Sequence, residues 1–294
     1  MPSPYFFALR GRLKIEGKQP DGDSVRFIAD TRGNFQELER SERIWPTRSD
    51  GSVQLRFEGV DAPEVHYGHA AQPLGTEVRD DLLAWLGFMD VTYKPDGVTV
   101  VSGTPDTIRA AILSQIAEAN GRPVSYLLVG EDDTLPEDGT WVLVDDAMLD
   151  RTVNARLLRE GLAYLTLYTS TPKRHRRHLR SIATEARTAG RGVWAMDDTV
   201  GWLLTEQDDV GPKGQLILPK LFRRCTDYLT DVGRGFDGNL IDWLLDVSLS
   251  PSRDENDRVV VGNRIEVPLS SLLAQRNNRI AFQPDVLDVV FVEK

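Results

Sequence analysis

The chain has 294 residues, 40% hydrophobic and 27% charged, a globular composition long enough for one large or two modest cores. One cysteine, Cys225, excludes an intrachain disulfide and a cysteine-rich zinc site, so nothing here depends on an oxidising compartment. A net charge of -10 excludes a uniform electrostatic hold on nucleic acid, and any surface for phosphates must be local.

The opening "MPSPYFFALRGRLKIEG" has a short apolar run and no basic region ahead of it. No stretch approaches the roughly 18 apolar residues of a membrane span. The expectation is a cytoplasmic chain with no membrane association and no recognisable export signal. "FFALRGRLKIEG" predicts a strand, "QPDGDS" a turn and "VRFIAD" a second strand. The polar stretch near 31–52 is too long for a tight hairpin and predicts an insertion. "VQLRFEGV" predicts a strand running into "DAPE", where Pro63 fixes its own φ and pushes Ala62 toward extended geometry.

"AQPLGTEVRDDLLAWLG" sets Val78, Leu82, Leu83 and Leu86 on one helical face, with Gly87 as the stop. "VTYKP" and "GVTVVSG" pair across Asp96-Gly97. "DTIRAAILSQIAEAN" reads as a helix, within a second insertion expected near 98–118, and "RPVSYLLVG" reads as a strand. "MLDRTVNARLLREGLAYL" predicts a helix on Val153, Leu157, Leu158 and Leu162.

Positive charge concentrates in "TPKRHRRHLRSIATEARTAGRGVW", a basic amphipathic helix with Leu179, Ile182, Ala183 and Ala186 on its apolar side. A run of this kind is ordinarily a solvated face; Lys173 and Arg174 are nonetheless expected to meet phosphates. Five or so short strands with helices at one end predict a mainly β, α+β architecture around a small closed barrel. Beyond Trp194 a Gly- and Pro-punctuated acidic stretch reads as a linker. The expected division is 1–200 and 201–294, the second part an α+β or mostly β accessory domain. "LILPKLFRRCTDYL" and "GNLIDWLLDVSL" read as partly helical there. "DRVVVGNRIEVPL", "RIAFQP" and "DVVFVEK" read as strands. No chemistry-bearing motif is evident in it; its expected roles are restraint, a protein partner or oligomerisation.

Three distant segments supply complementary parts of a phosphodiester-cleaving site. "DGDS" offers Asp21 and Asp23, "RFEGVDAPE" offers Arg56, Asp61 and Glu64, and "EANGRPVSYL" offers Arg122. Arginine's planar fork binds two phosphate oxygens. Carboxylates hold a hard cation and can orient or deprotonate water. Taken singly, Asp21 and Asp23 are turn formers and Arg122 is a surface charge.

Together, in this order and at these offsets, the segments resemble the staphylococcal nuclease-like family, also called thermonucleases. Asp21-Gly22-Asp23-Ser24 is similar to its first signature, Arg56, Asp61, Pro63 and Glu64 to its second, and Glu118, Gly121, Arg122 and Tyr126 to its third. The likeness spans about residues 8–195, through "QPLGTEVRDDL", "TVNARLLREGLA" and "EARTAGRGVW". It implies an OB-fold five-stranded barrel with flanking helices and a calcium-dependent, largely sequence-nonspecific nuclease acting on DNA, RNA or both, with Mg2+ or Mn2+ as alternative cations. Asp23, Asp61 and the Ala62 carbonyl would bind the cation. Arg56 and Arg122 would grip phosphate, and Glu64 would position or activate water.

The sequence departs from the family pattern at Ala119-Asn120, where a Lys-Tyr pair is usual. The stacking tyrosines are also out of register, leaving Tyr168 as the candidate for base stacking. Some relatives keep the barrel as a catalytically weak or inactive binding module, which stands as the alternative. The pairs His66/His69 and His175/His178 have a spacing compatible with metal, although solvated or supporting histidines are the commoner outcome.

Overall fold

A computed structural model gives the structure and describes residues 3–246, 257–262 and 265–293. The end of the expected helix "GNLIDWLLDVSL", residues 247–249, lies outside the described residues. In the first half the strands are β1 (Tyr5–Lys14), β2 (Arg26–Ala29), β3 (Val53–Gln54), β4 (Arg56–Phe57) and β5 (Val60–Asp61). Helix α1 (Gly75–Leu86) precedes β6 (Met89–Tyr93), β7 (Val100–Thr104), β8 (Thr107–Ala117), β9 (Pro123–Val129) and β10 (Thr140–Leu143). Helices α2 (Asp146–Asp150) and α3 (Val153–Glu160), strands β11 (Tyr164–Leu165) and β12 (Leu167–Tyr168), and helix α4 (Lys173–Thr188) follow.

β3, β2, β1, β8, β9 and β4 are neighbours in that order in a 7-stranded sheet, with β10 attached to β1. One edge of β1 changes partner along its length: Tyr5–Ala8 pair with β10, and Gly11–Lys14 pair with β2. The sheet curls there into a nearly closed, OB-fold-like barrel with helices around it. Gly11 permits the bend, since a Cβ at this residue would lie 2.1 Å from the Ile28 carbonyl oxygen.

β8 corrects a helical expectation. "DTIRAAILSQIA" is alanine-rich and its apolar residues run together, which suits a helix by propensity. In the fold it pairs with β1 on one side and β9 on the other, and Ala110–Ser114 are buried consecutively. A strand covered on both faces loses the alternation that would have marked it. The stretch 98–118 is therefore a central barrel strand preceded by β7, which pairs with β6 as the Asp96-Gly97 turn predicts.

α1 ends at Gly87 in the left-handed region (φ 104°), and α3 at Gly161 (φ 71°). The predicted 148–165 helix is interrupted because Thr152 caps a new start, accepting from the Ala155 amide, while its first residues belong to the short α2 that Asp145 caps through the Met148 amide. From α3, buried Asn154 donates to the Glu58 and Ser125 carbonyls at 2.9 and 3.0 Å and accepts from the Leu127 amide at 2.9 Å. It holds the turn after β4 against β9.

The remainder comprises β13 (Trp202–Leu203), α5 (Pro219–Gly233), α6 (Leu240–Leu244), β14 (Arg258–Val261), β15 (Ile265–Pro268), β16 (Leu273–Arg276), β17 (Arg279–Phe282) and β18 (Val289–Phe291). Strands and helices both occur, as expected for this part. The expected linker is packed instead: Trp202 and Val210 are fully buried, and β13 pairs with β17. β18 runs parallel to β12 with Phe291 opposite Tyr168, and one apolar core runs through both halves. This joins α5 and the last strand to the open end of the barrel.

Candidate active site

The Asp21–Ser24 turn is closed by the Asp21 amide donating to the Ser24 carbonyl at 3.0 Å. Asp21 Oδ1 accepts from the Gly22 and Val65 amides at 2.8 and 3.3 Å, and Asp23 Oδ2 accepts from the Ala62 amide at 3.3 Å. Backbone donors thus fasten "DGDS" to "DAPE". A Cβ on Gly22 would lie 2.7 Å from both Ala62 Cβ and Val78 Cγ1, so the glycine lets the turn press against the loop and α1.

Asp21, Asp23, Arg56, Asp61, Glu64 and Arg122 line one cavity of 660 Å³. Ala62 is buried behind it and meets Asp23 through its amide. Arg56 sits over the Tyr168 ring, 4.3 Å from the guanidinium carbon to the centroid, and among the described residues its guanidinium makes no close ion pair or hydrogen bond, although Glu293, Asp61 and Glu58 lie near enough to favour its charge. Its fork is left for a ligand, while Tyr168, backed by Phe291 at 5.9 Å, serves as its support. Tyr168 therefore reaches the cavity with one face already engaged.

Arg122 leaves the tight turn 118–122, where Glu118 accepts from the Asn120 amide at 3.0 Å and from Arg122 Nε at 3.1 Å. Gly121 (φ 79°) allows the turn to dock on the 31–52 insertion, since a Cβ there would lie 1.9 Å from the Arg43 carbonyl oxygen. Gly121→Ala is expected to cost about 1–3 kcal/mol through a forced left-handed conformation, read as a lowered melting temperature. It should also weaken substrate binding by displacing Arg122.

Arg174 and Arg187 of α4 are engaged elsewhere. Arg174 forms a double hydrogen bond to Asp146 at 2.9 and 3.1 Å, and Arg187 pairs with Asp285 at 2.6 Å. Lys173 and Arg174 line a different hollow with Pro4, Leu143 and Arg177, and the structure does not bring them to the 660 Å³ cavity. His175 is a core residue, stacked on Phe6 and bonded to the Val144 carbonyl at 2.8 Å; His178 meets Asp150 at 3.0 Å. His66 and His69 belong to a non-helical turn around the Tyr67–Ala70 bridge.

The region expected to hold no chemistry-bearing motif supplies one wall of the cavity. Lys220, Arg223 and Arg224 reach it from α5, with Glu293 beside them. The sequence did carry a signal: three cations at i, i+3 and i+4 form one helical stripe in "LPKLFRRCTDYL". Arg223 Nη1 and Nη2 meet Asp61 Oδ1 and Oδ2 at 3.1 and 2.9 Å, and Nη1 also donates to Glu64 Oε1. Lys220 Nζ lies 2.9 Å from Asp257, and Arg224 Nε also pairs with that carboxylate.

Asp257 is 2% exposed. Burial opposes its charge, but Lys220 and Arg224 outweigh burial and hold it down at about 2. A carboxyl depressed in the folded state stabilises above its ordinary value, and that stabilisation disappears as pH falls through about 2. About 2 kcal/mol is expected to be lost between pH 5 and 2, and acid unfolding of Asp257→Asn should lack that component.

Burial, reinforced by Asp61 and Asp21, pushes Asp23 up to about 7. Burial pushes Glu64 up as well, with Arg223 pulling against it and Asp21, Asp61 and Asp23 adding to the rise. These donors are all carboxylate oxygens, the kind a hard divalent cation takes, and a second positive charge would relieve Asp23. Among the described residues, no three His, Cys, Asp or Glu side chains stand ready to hold a cation, and Asp61 turns both oxygens to Arg223.

Among known families, residues 54–196 match the staphylococcal nuclease homologue family. These residues form a staphylococcal nuclease homologue domain. No curated protein matches the chain. The matched segment of the nuclease homologue contains Arg56, Asp61, Glu64, Arg122 and Tyr168; Asp21 and Asp23 precede it and α5 follows it. This match points to nucleic acid as the class of ligand. Among the described residues, no helix is long and apolar enough to cross a membrane.

Proposed function

We propose that the chain is a cation-assisted nuclease that hydrolyses phosphodiester bonds in DNA, RNA or both. Support comes chiefly from one observation: Arg56, Arg122, Glu64, Asp61 and Asp23 all face the same 660 Å³ cavity. Arg56 and Arg122 bind the nonbridging phosphate oxygens and favour the charge that builds on them in the transition state. Tyr168 keeps Arg56 in place. Glu64 holds the attacking water and takes its proton. Asp23 and Asp61 would hold Ca2+, with Mg2+ or Mn2+ as alternatives, and the ion would act as a Lewis acid beside the scissile phosphate.

A digestion matrix of single- and double-stranded DNA and RNA against Ca2+, Mg2+, Mn2+ and chelator, run on the parent and Glu64→Ala, tests this reading. Cation-dependent cleavage lost in the variant is expected. Cleavage equal in both proteins would overturn the assignment. Arg223 on Asp61 and Glu64 favours a second reading, a nucleic-acid-binding module with little turnover. Its signature would be salt-sensitive binding with no cleavage under any cation.

A further inference from the structure

We propose that Arg223 is an internal occupant of the cation site, so that divalent metal and this guanidinium compete for the same carboxylates and α5 sets the site's metal affinity. The inference rests on the reading of Asp61 and Glu64 as cation- and water-handling groups, and it adds a residue outside the nuclease homologue segment.

The geometry carries it. Asp61 offers both carboxylate oxygens to Arg223 in a fork, and Glu64 contributes a third oxygen. The acids are only 9% and 12% exposed, so water does little to weaken the contact. Ca2+ takes carboxylate oxygens at about 2.3–2.6 Å. Two cations cannot share one buried carboxylate at that range without strong repulsion.

Arg223 is not a surface side chain that swings aside freely. On the same helix Leu221, Phe222 and Cys225 are buried in the common core, and Lys220 and Arg224 are fixed on Asp257. By contrast, Arg56 lines the same cavity with no close ion pair or hydrogen bond to its guanidinium among the described residues. Among the described residues, Arg223 is the cavity arginine bonded to Asp61 and Glu64.

Calorimetric Ca2+ titration of the full chain, alongside Arg223→Gln and Arg223→Lys, with a nuclease assay and circular dichroism on each, tests the competition. Arg223→Gln keeps the shape and removes the charge; its calcium affinity is expected to rise at least 10-fold, with Arg223→Lys in between because an ammonium cannot form the fork. Unchanged or weaker affinity in Arg223→Gln overturns the proposal. Should that variant fail to fold, parent-like affinity in Arg223→Lys overturns it instead. Unchanged affinity alongside Glu64-dependent cleavage by the parent removes only this inference. Absence of both calcium binding and cleavage in all three proteins overturns the nuclease reading as well.

Discussion

Glu64→Ala is expected to lower the turnover rate of phosphodiester cleavage about 10²- to 10⁴-fold, the usual worth of a positioned proton acceptor. KM should change little, because Arg56 and Arg122 remain to bind phosphate. Arg223 keeps both of its bonds to Asp61 in this variant, so α5 stays docked and the fold survives. Single-turnover kinetics at saturating cation, paired with a melting curve, separates lost chemistry from lost structure. A rate within a few-fold of the parent would take Glu64 out of the chemical step.

Arg56→Ala is the second large effect, expected to lower kcat/KM about 10²- to 10³-fold through loss of one preorganised charge on the phosphate. Arg56→Lys should recover little, because the ammonium has no planar fork to bind two oxygens. Stability should fall by only about 1 kcal/mol, the scale of the contact with Tyr168. A similar argument predicts less for Arg122, whose Nε is already shared with Glu118. If Arg56→Ala cleaved normally, the unpaired guanidinium over Tyr168 would need another explanation.

Local chemistry made much of the fold readable. The Asp96-Gly97 hairpin and α1 with Gly87 depend on residues close in sequence, so composition and spacing revealed them. β8 depends on partners about a hundred residues away; pairing with β1 overrode its alanine-rich helical preference. The same distinction governs charge. Basic residues of α4 looked available for phosphate, but Asp146 and Asp285 claim Arg174 and Arg187. Lys220, Arg223 and Arg224 formed a helical stripe in the sequence, yet nothing local indicated which acids they would meet.

The sequence alone determined that "DGDS", "RFEGVDAPE" and "GRPVSYL" bring carboxylates and arginines to turns and strand ends, because spacing around Gly, Pro and strand ends is a local property. Tertiary structure decided which charges stay free. Asp23, Asp61, Glu64, Arg56 and Arg122 meet because the barrel brings distant strand ends to one rim. Tyr168 becomes a support for Arg56, and Arg223 is laid across Asp61 and Glu64, because the last strand and α5 pack on that rim. An ion pair depends on distance and burial, and a linear sequence records neither.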